Sequence, residues 1–87
     1  MKREFSHHIK PEKLVGFPEA VRIKSKGTRP RYKNGNEYLE YDSMHDTVEV
    51  YNKNGKHIGE FDHITGNKIS NAINGRKIDL SKNYKID

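Results

Sequence analysis

Three Asn-Gly pairs stand twenty residues apart, at Asn34-Gly35, Asn54-Gly55 and Asn74-Gly75. Asn and Gly both tolerate the positive φ of the tight turns that join antiparallel strands, so these pairs cut the chain into hairpin-sized pieces. Between them lie short runs with strand character: Tyr38–Asp42, Thr47–Tyr51, His57–Asp62, and weaker ones at Lys68–Ile69 and Lys77–Leu80. In the central run Val48 and Val50 alternate with Glu49 and Tyr51, a period of two. Asp42, His45 and Glu49 also have the i, i+3, i+7 spacing of one helical face, but Thr47, Val48, Val50 and Tyr51 favour a strand. The expected fold is mainly β, an antiparallel meander. Upstream, Ser6–Leu14 allows a short helix limited by Pro11, Gly16-Phe17-Pro18 is a breaker, and Arg22–Lys33 reads as an extended basic arm.

The chain has 87 residues, enough for one domain, divided here into the helix and arm (1–33), the sheet with the candidate site (34–80) and a tail (81–87). Only 31% of positions are hydrophobic, so the core must be thin and its stability about 5 kcal/mol or less. There is no Cys, which removes disulfides and thiolate metal sites. No apolar run is long enough for a membrane span or a signal-peptide core. These features exclude a membrane-spanning protein, a zinc finger and a large cofactor enzyme.

The net charge of +5 is unevenly spread. Residues 1–33 carry ten basic and three acidic side chains, residues 34–63 two basic and seven acidic, and residues 64–87 five basic and two acidic. An acidic centre between basic flanks suits a module that grips a polyanion and acts on it in the middle. The candidate phosphate contacts are Lys24, Lys26, Arg29, Arg31, Lys33, Lys56, Lys68 and Lys77. A soluble domain with a solvated basic arm is the plainer alternative.

The densest chemistry lies between Tyr41 and Tyr51. In a hairpin, Leu39, Tyr41, Val48 and Val50 face the core, while Glu40, Asp42, Glu49 and Tyr51 share the polar face and His45 sits in the connecting loop. Three carboxylates, an imidazole and a phenol then gather without metal or thiol. Such a set suits RNA cleavage by internal transesterification: a base takes the ribose 2′-hydroxyl proton, the oxygen attacks phosphorus, and an acid protonates the departing 5′-oxygen. A cation offsets the charge growing on the phosphoryl oxygens. Ordinary solvated charges on an exposed strand face explain the same pattern. A metal site from Asp42, His45, His57, Asp62 and His63 has the right ligand types but no compact motif.

The ordered string Glu40-Tyr41-Asp42-Ser43-Met44-His45, Val48-Glu49-Val50-Tyr51, Gly55-Lys56-His57-Ile58-Gly59-Glu60-Phe61-Asp62 and Thr65-Gly66-Asn67 resembles the cytotoxic ribonuclease domain of the ribosome-inactivating E-group colicins. Related contact-dependent and polymorphic bacterial toxins carry the same domain. The resemblance spans roughly Gly16 to Ile78 and is strongest over residues 39–67. It implies a strongly twisted antiparallel sheet with a short preceding helix, no cofactor, and one cut in the decoding region of small-subunit (16S) ribosomal RNA. It also implies a monomeric toxin domain bound by an acidic immunity protein, delivered from its producer and acting in the target-cell cytoplasm. The lack of a receptor-binding or translocation segment points to a piece of a longer toxin.

Carried over by position, the resemblance implies catalytic roles for Asp42, His45, Glu49, Tyr51 and Arg76: Glu49 as base, His45 as acid, Arg76 on the phosphoryl charge and Asp42 orienting His45. It leaves the order of base and acid open. This chain departs from the family's pattern at Leu39 and Tyr41, where the family shows Tyr and Trp. It departs again at Asp46, where a Gly is common, and at Thr47, where some members carry Glu.

Overall fold

The computed structural model describes residues 11–25, 29–80 and 83–85. Seven strands form a single antiparallel sheet: β1 (Val21–Ser25), β2 (Arg31–Asn34), β3 (Glu37–Asp42), β4 (Thr47–Tyr51), β5 (His57–Asp62), β6 (Lys68–Asn71) and β7 (Asn83–Lys85). The order across the sheet is β6-β5-β4-β3-β2-β1-β7, so β1 to β6 are a plain meander and β7 returns to the far edge beside β1. The Asn-Gly pairs occupy turns as expected, with Gly35, Gly55 and Gly75 at φ of 61°, 84° and 88°. There the missing Cβ removes the steric cost of a left-handed backbone.

Two expectations need correction. The described residues of Arg22–Lys33 form paired strands rather than an arm: β1 and β2 pair with Arg22 opposite Tyr32 and Ile23 opposite Arg31. The inward residues hold them down, because Tyr32 is fully buried and its hydroxyl donates to the Pro11 carbonyl. Burial pushes the Tyr32 phenol up to about 12, so it stays a donor. Lys77–Leu80 makes only one isolated bridge, Lys77 to Lys56, rather than a strand. Ile78 and Leu80 are half-buried, but beyond the Ile78 N–H bond to the Gly55 carbonyl no ladder forms. Most of the expected Ser6–Leu14 helix lies outside the described residues, and its described end is non-helical, with Leu14 bridged to Phe17.

The alternation of β3 and β4 sorts side chains as the sequence predicts. Leu39, Tyr41, Val48 and Val50 join Leu14, Ala20 and Tyr32 in the core, with Phe17, Ile58 and Phe61 packed against it. Residues 11–20 cover this apolar face. Their turn docks through two glycines: the Gly16 N–H donates to the His63 carbonyl at 2.8 Å, and a Cβ on Gly16 would lie 2.5 Å from the Gly66 nitrogen. Only glycine permits that approach.

The opposite face is covered by the connection from β6 to β7. Residues 72–80 cross it, tied to the start of β5 by His57 N–H to Arg76 O (3.0 Å) and Ile78 N–H to Gly55 O (2.9 Å). Farther along, the Asp79 carbonyl accepts from the Arg31 guanidinium at 3.1 Å. A polar sheet face is thereby enclosed. Glu40, Asp42, Glu49 and Tyr51 are all buried, which solvated strand charges would not be.

Candidate active site

The strand register places charges in one row across the sheet. Arg31 pairs with Glu40, Glu40 with Glu49, and Glu49 with Glu60. Like charges directly opposite one another destabilise a sheet, so each carboxylate needs its own compensation. Glu40 takes a two-pronged contact from Arg31, at 3.0 and 2.6 Å. Glu60 accepts a hydrogen bond from the Thr47 hydroxyl at 2.7 Å. Glu49 is held by His57, whose Nε2 lies 2.6 Å from its Oε1, and by Arg76, whose Nη1 lies 3.4 Å from the same oxygen.

His57 reaches that position through a β-bulge. Gly59 pairs with Val50 and His57 with Tyr51, so Ile58 is the extra residue. The bulge turns Ile58 toward the core and His57 onto the polar face, against the strict alternation of the run. The ring is then fully committed. Its Nδ1 accepts the Ile73 N–H at 2.9 Å, so the proton sits on Nε2 and is donated to Glu49. The Tyr51 ring packs edge-on at 5.2 Å. Burial first, then the Glu40 and Glu49 charges, raise the Tyr51 pKa, which keeps the phenol protonated.

Asp42, at the end of β3, builds the turn that carries His45. Its Oδ1 accepts the N–H groups of Met44 (3.0 Å) and His45 (3.4 Å), an Asx-type turn. Its Oδ2 lies 2.7 Å from His45 Nδ1 and 3.4 Å from Arg29 Nη2. Burial works to raise the Asp42 pKa, but the His45 ring, Arg29 and the two backbone donors outweigh it and hold the carboxyl below its ordinary value. The Asp42 hydrogen bond and charge raise the His45 pKa, with Glu60 adding to the effect. His45 is 71% exposed, and with Nδ1 engaged its Nε2 is the nitrogen left for a substrate.

One open cleft of about 570 Å³ is walled by Asp42, His45, Glu49, Tyr51 and Arg76, with Arg29, Glu40, Glu60, Ile73, Lys77 and Ile78 completing the lining. All five residues expected to carry chemistry therefore meet at one site. The expected phosphate contacts divide. Arg29 and Lys77 line the cleft. Arg31 is 6% exposed and holds Glu40 and the Asp79 carbonyl. Lys24 is exposed on β1 and Lys68 on β6, Lys33 lies 5.3 Å over the Tyr38 ring, Lys56 is exposed, and Lys26 is outside the described residues.

The five residues considered for a metal do not converge. His57 serves Glu49, Asp62 caps its own turn through the N–H groups of Ile64 and Thr65, and His63 faces Asp46. Among the described residues no group of three or more His, Asp and Glu is arranged to hold a metal ion.

His57, which stands behind Glu49, entered the sequence reading only as a metal ligand, and Glu60, which lines the cleft, entered it with no role. The Gly55-Lys56-His57 string is the only trace of the first, and a carboxylate opposite Glu49 in the hairpin register is the trace of the second.

This arrangement offers an exposed imidazole backed by a carboxylate and a buried carboxylate backed by an imidazole and an arginine, facing one cleft. A family model described as Cytotoxic matches residues 8–79. The chain belongs to that family. These are the colicin E-type cytotoxic ribosomal-RNA ribonuclease domains, and membership supports a toxin nuclease role for this cytotoxic domain. No curated protein matches it. No helix among its described residues is long and apolar enough to cross a membrane.

Proposed function

We infer that this cytotoxic domain is an endoribonuclease that cuts small-subunit ribosomal RNA in the decoding region by transesterification without a metal ion, and so blocks translation. The observation that carries the reading is the meeting of the Asp42–His45 pair, Glu49 backed by the buried His57, and Arg76 at a single cleft. Glu49 takes the proton from a ribose 2′-hydroxyl. The 2′-oxygen bonds to the adjacent phosphorus as the bond to the 5′-oxygen breaks, and His45 Nε2 gives its proton to that leaving oxygen. The products are a 2′,3′-cyclic phosphate and a free 5′-hydroxyl. Arg76, half exposed beside Glu49, offsets charge on the phosphoryl oxygens. Asp42 keeps His45 oriented and charged, and the protonated Tyr51 offers a donor in the same cleft.

Arg29 and Lys77 at the cleft, and Lys24, Lys33, Lys56 and Lys68 outside it, supply phosphate contacts along the RNA. An acidic immunity protein is the fitting partner for a chain of net charge +5, and the domain acts in the cytoplasm of a target cell after delivery.

Purified protein incubated with intact ribosomes in the presence of chelator tests the reading. One short fragment from the 3′ region of the small-subunit RNA, ending in a cyclic phosphate, is the expected result. Intact RNA at stoichiometric protein, with tight ribosome binding, would leave a non-catalytic RNA-binding module. Cleavage that stops on chelation overturns the metal-free step.

A further inference from the structure

The turn that carries His45 contains one residue in a conformation that glycine adopts most freely. Asp46 has φ of 62°, and it is the only non-glycine residue with positive φ among the described residues. Asp tolerates the left-handed region better than most side chains but still adopts it at a cost. The Asp46 N–H closes the turn onto the Asp42 carbonyl at 2.7 Å.

A second cluster of titratable side chains grips that turn. The Tyr41 hydroxyl donates to Asp46 Oδ1, and His63 Nε2 lies 3.2 Å from the same oxygen. The Tyr41 and His63 rings meet edge-to-face at 5.3 Å. Burial, followed by the hydrogen bond to Asp46, raises the Tyr41 pKa, so the phenol remains a donor. His63 is anchored in turn, because its carbonyl accepts the Gly16 N–H at 2.8 Å. Tyr41 and Asp42 are neighbours on a strand and point to opposite faces. The turn is thus held by Asp42 from the cleft side and by Tyr41 and His63 from the core side.

The Asp46 side chain is 67% exposed, while its partners Tyr41 and His63 are largely buried, so the contacts tie a solvent-side turn to the core. A strained residue tied down in this way makes sense where geometry matters. We propose that the Tyr41–Asp46–His63 clamp is a positioning device that fixes the Ser43–Asp46 turn, so that His45 meets Asp42 and the cleft in one orientation. This rests on the reading of His45 as the acid. Without the clamp, only Asp42 restrains a turn whose Met44 and His45 side chains stand in solvent.

The test compares Asp46→Gly, Asp46→Asn and Tyr41→Phe in the full chain. Glycine suits the left-handed backbone, so Asp46→Gly keeps the turn's conformation accessible while deleting the clamp. In Asp46→Gly and Tyr41→Phe, kcat falls about tenfold with KM nearly unchanged, the scale expected for a small misplacement of a catalytic group. Asp46→Asn retains an oxygen for the Tyr41 hydroxyl and restores most of the rate. The His45 imidazole, followed by NMR titration, moves down toward the ordinary histidine value in the first two variants and stays raised in the third. A folded Asp46→Gly protein with an unchanged His45 titration and a kcat within about twofold of the parent overturns the clamp. If the parent leaves ribosomal RNA intact, the ribonuclease reading fails, and the His45 titration still decides the clamp by itself.

Discussion

The Asp42–His45 and Glu49–His57 pairs contain the same two functional groups at nearly the same separation, 2.7 and 2.6 Å, in opposite settings. In the first the carboxylate is buried and the imidazole is 71% exposed. In the second both are buried. The decisive difference is the second ring nitrogen. His45 has Nε2 open to the cleft, whereas His57 has Nδ1 occupied by the Ile73 N–H. A histidine with one free nitrogen can pass a proton to a substrate. One with both engaged can only hold its partner in place. The carboxylate–imidazole pair alone does not say which role a histidine plays; its remaining hydrogen bond does.

The largest effect that separates the two pairs is His45→Ala. Cleavage of ribosomal RNA should fall by about 10²–10⁴, the usual worth of an acid–base partner, while the urea unfolding midpoint stays close to the parent's because the ring is exposed. His57→Ala should do the reverse in emphasis. Losing a hydrogen bond to a buried carboxylate and the acceptor for Ile73 costs about 2–3 kcal/mol, read by the same urea titration. Against a total of about 5 kcal/mol, that places the variant near unfolding. A His57→Ala protein as stable as the parent would erase the distinction between the two pairs.

A smaller effect tests the charge on the exposed pair. His45 is raised above its ordinary 6.5 and Asp42 lowered below its ordinary 3.8, so their contribution to folding is fully developed between those values. It fades as pH rises through the raised His45 value and as pH falls through the lowered Asp42 value. The alkaline limb of the cleavage rate follows His45 deprotonation. Asp42→Asn should move that limb to lower pH, and a pH–rate profile that stays in place would remove Asp42 from its proposed role. The smallest effect concerns the flanks. Lys77→Ala should lower the slope of log affinity against log salt by about one, because one RNA phosphate is no longer neutralised by the protein. Arg31→Met should leave that slope unchanged and show itself in the unfolding curve instead, since Arg31 is buried against Glu40.

Much of the sheet was legible in the sequence alone. The runs Thr47–Tyr51 and His57–Asp62 match β4 and β5 residue for residue, and the start of β3 differs by one position, Glu37 in place of Tyr38. Strict alternation of Val48 and Val50 with Glu49 and Tyr51 sufficed, because a strand buried on one face must keep a period of two. β1 and β2 were hidden as strands by their basic composition, which reads as solvated until Tyr32 and Arg31 are given inward partners. β7 was unreadable because its three residues carry no pattern of their own.

At the site, the sequence placed Asp42, His45, Glu49 and Tyr51 together, since all four belong to one hairpin whose register follows from local alternation. The plainer alternative, solvated charges on an exposed strand face, does not hold, because that face is buried. Tertiary structure alone decided that residues 72–80 cross the face, bring Arg76 to Glu49 and bury the row Arg31–Glu40–Glu49. It alone decided that a bulge at Ile58 swings His57 to the same side. Local periodicity can specify which face a side chain takes. The path of a connection and the insertion of one extra residue depend on contacts between segments distant in the chain, which no local pattern records.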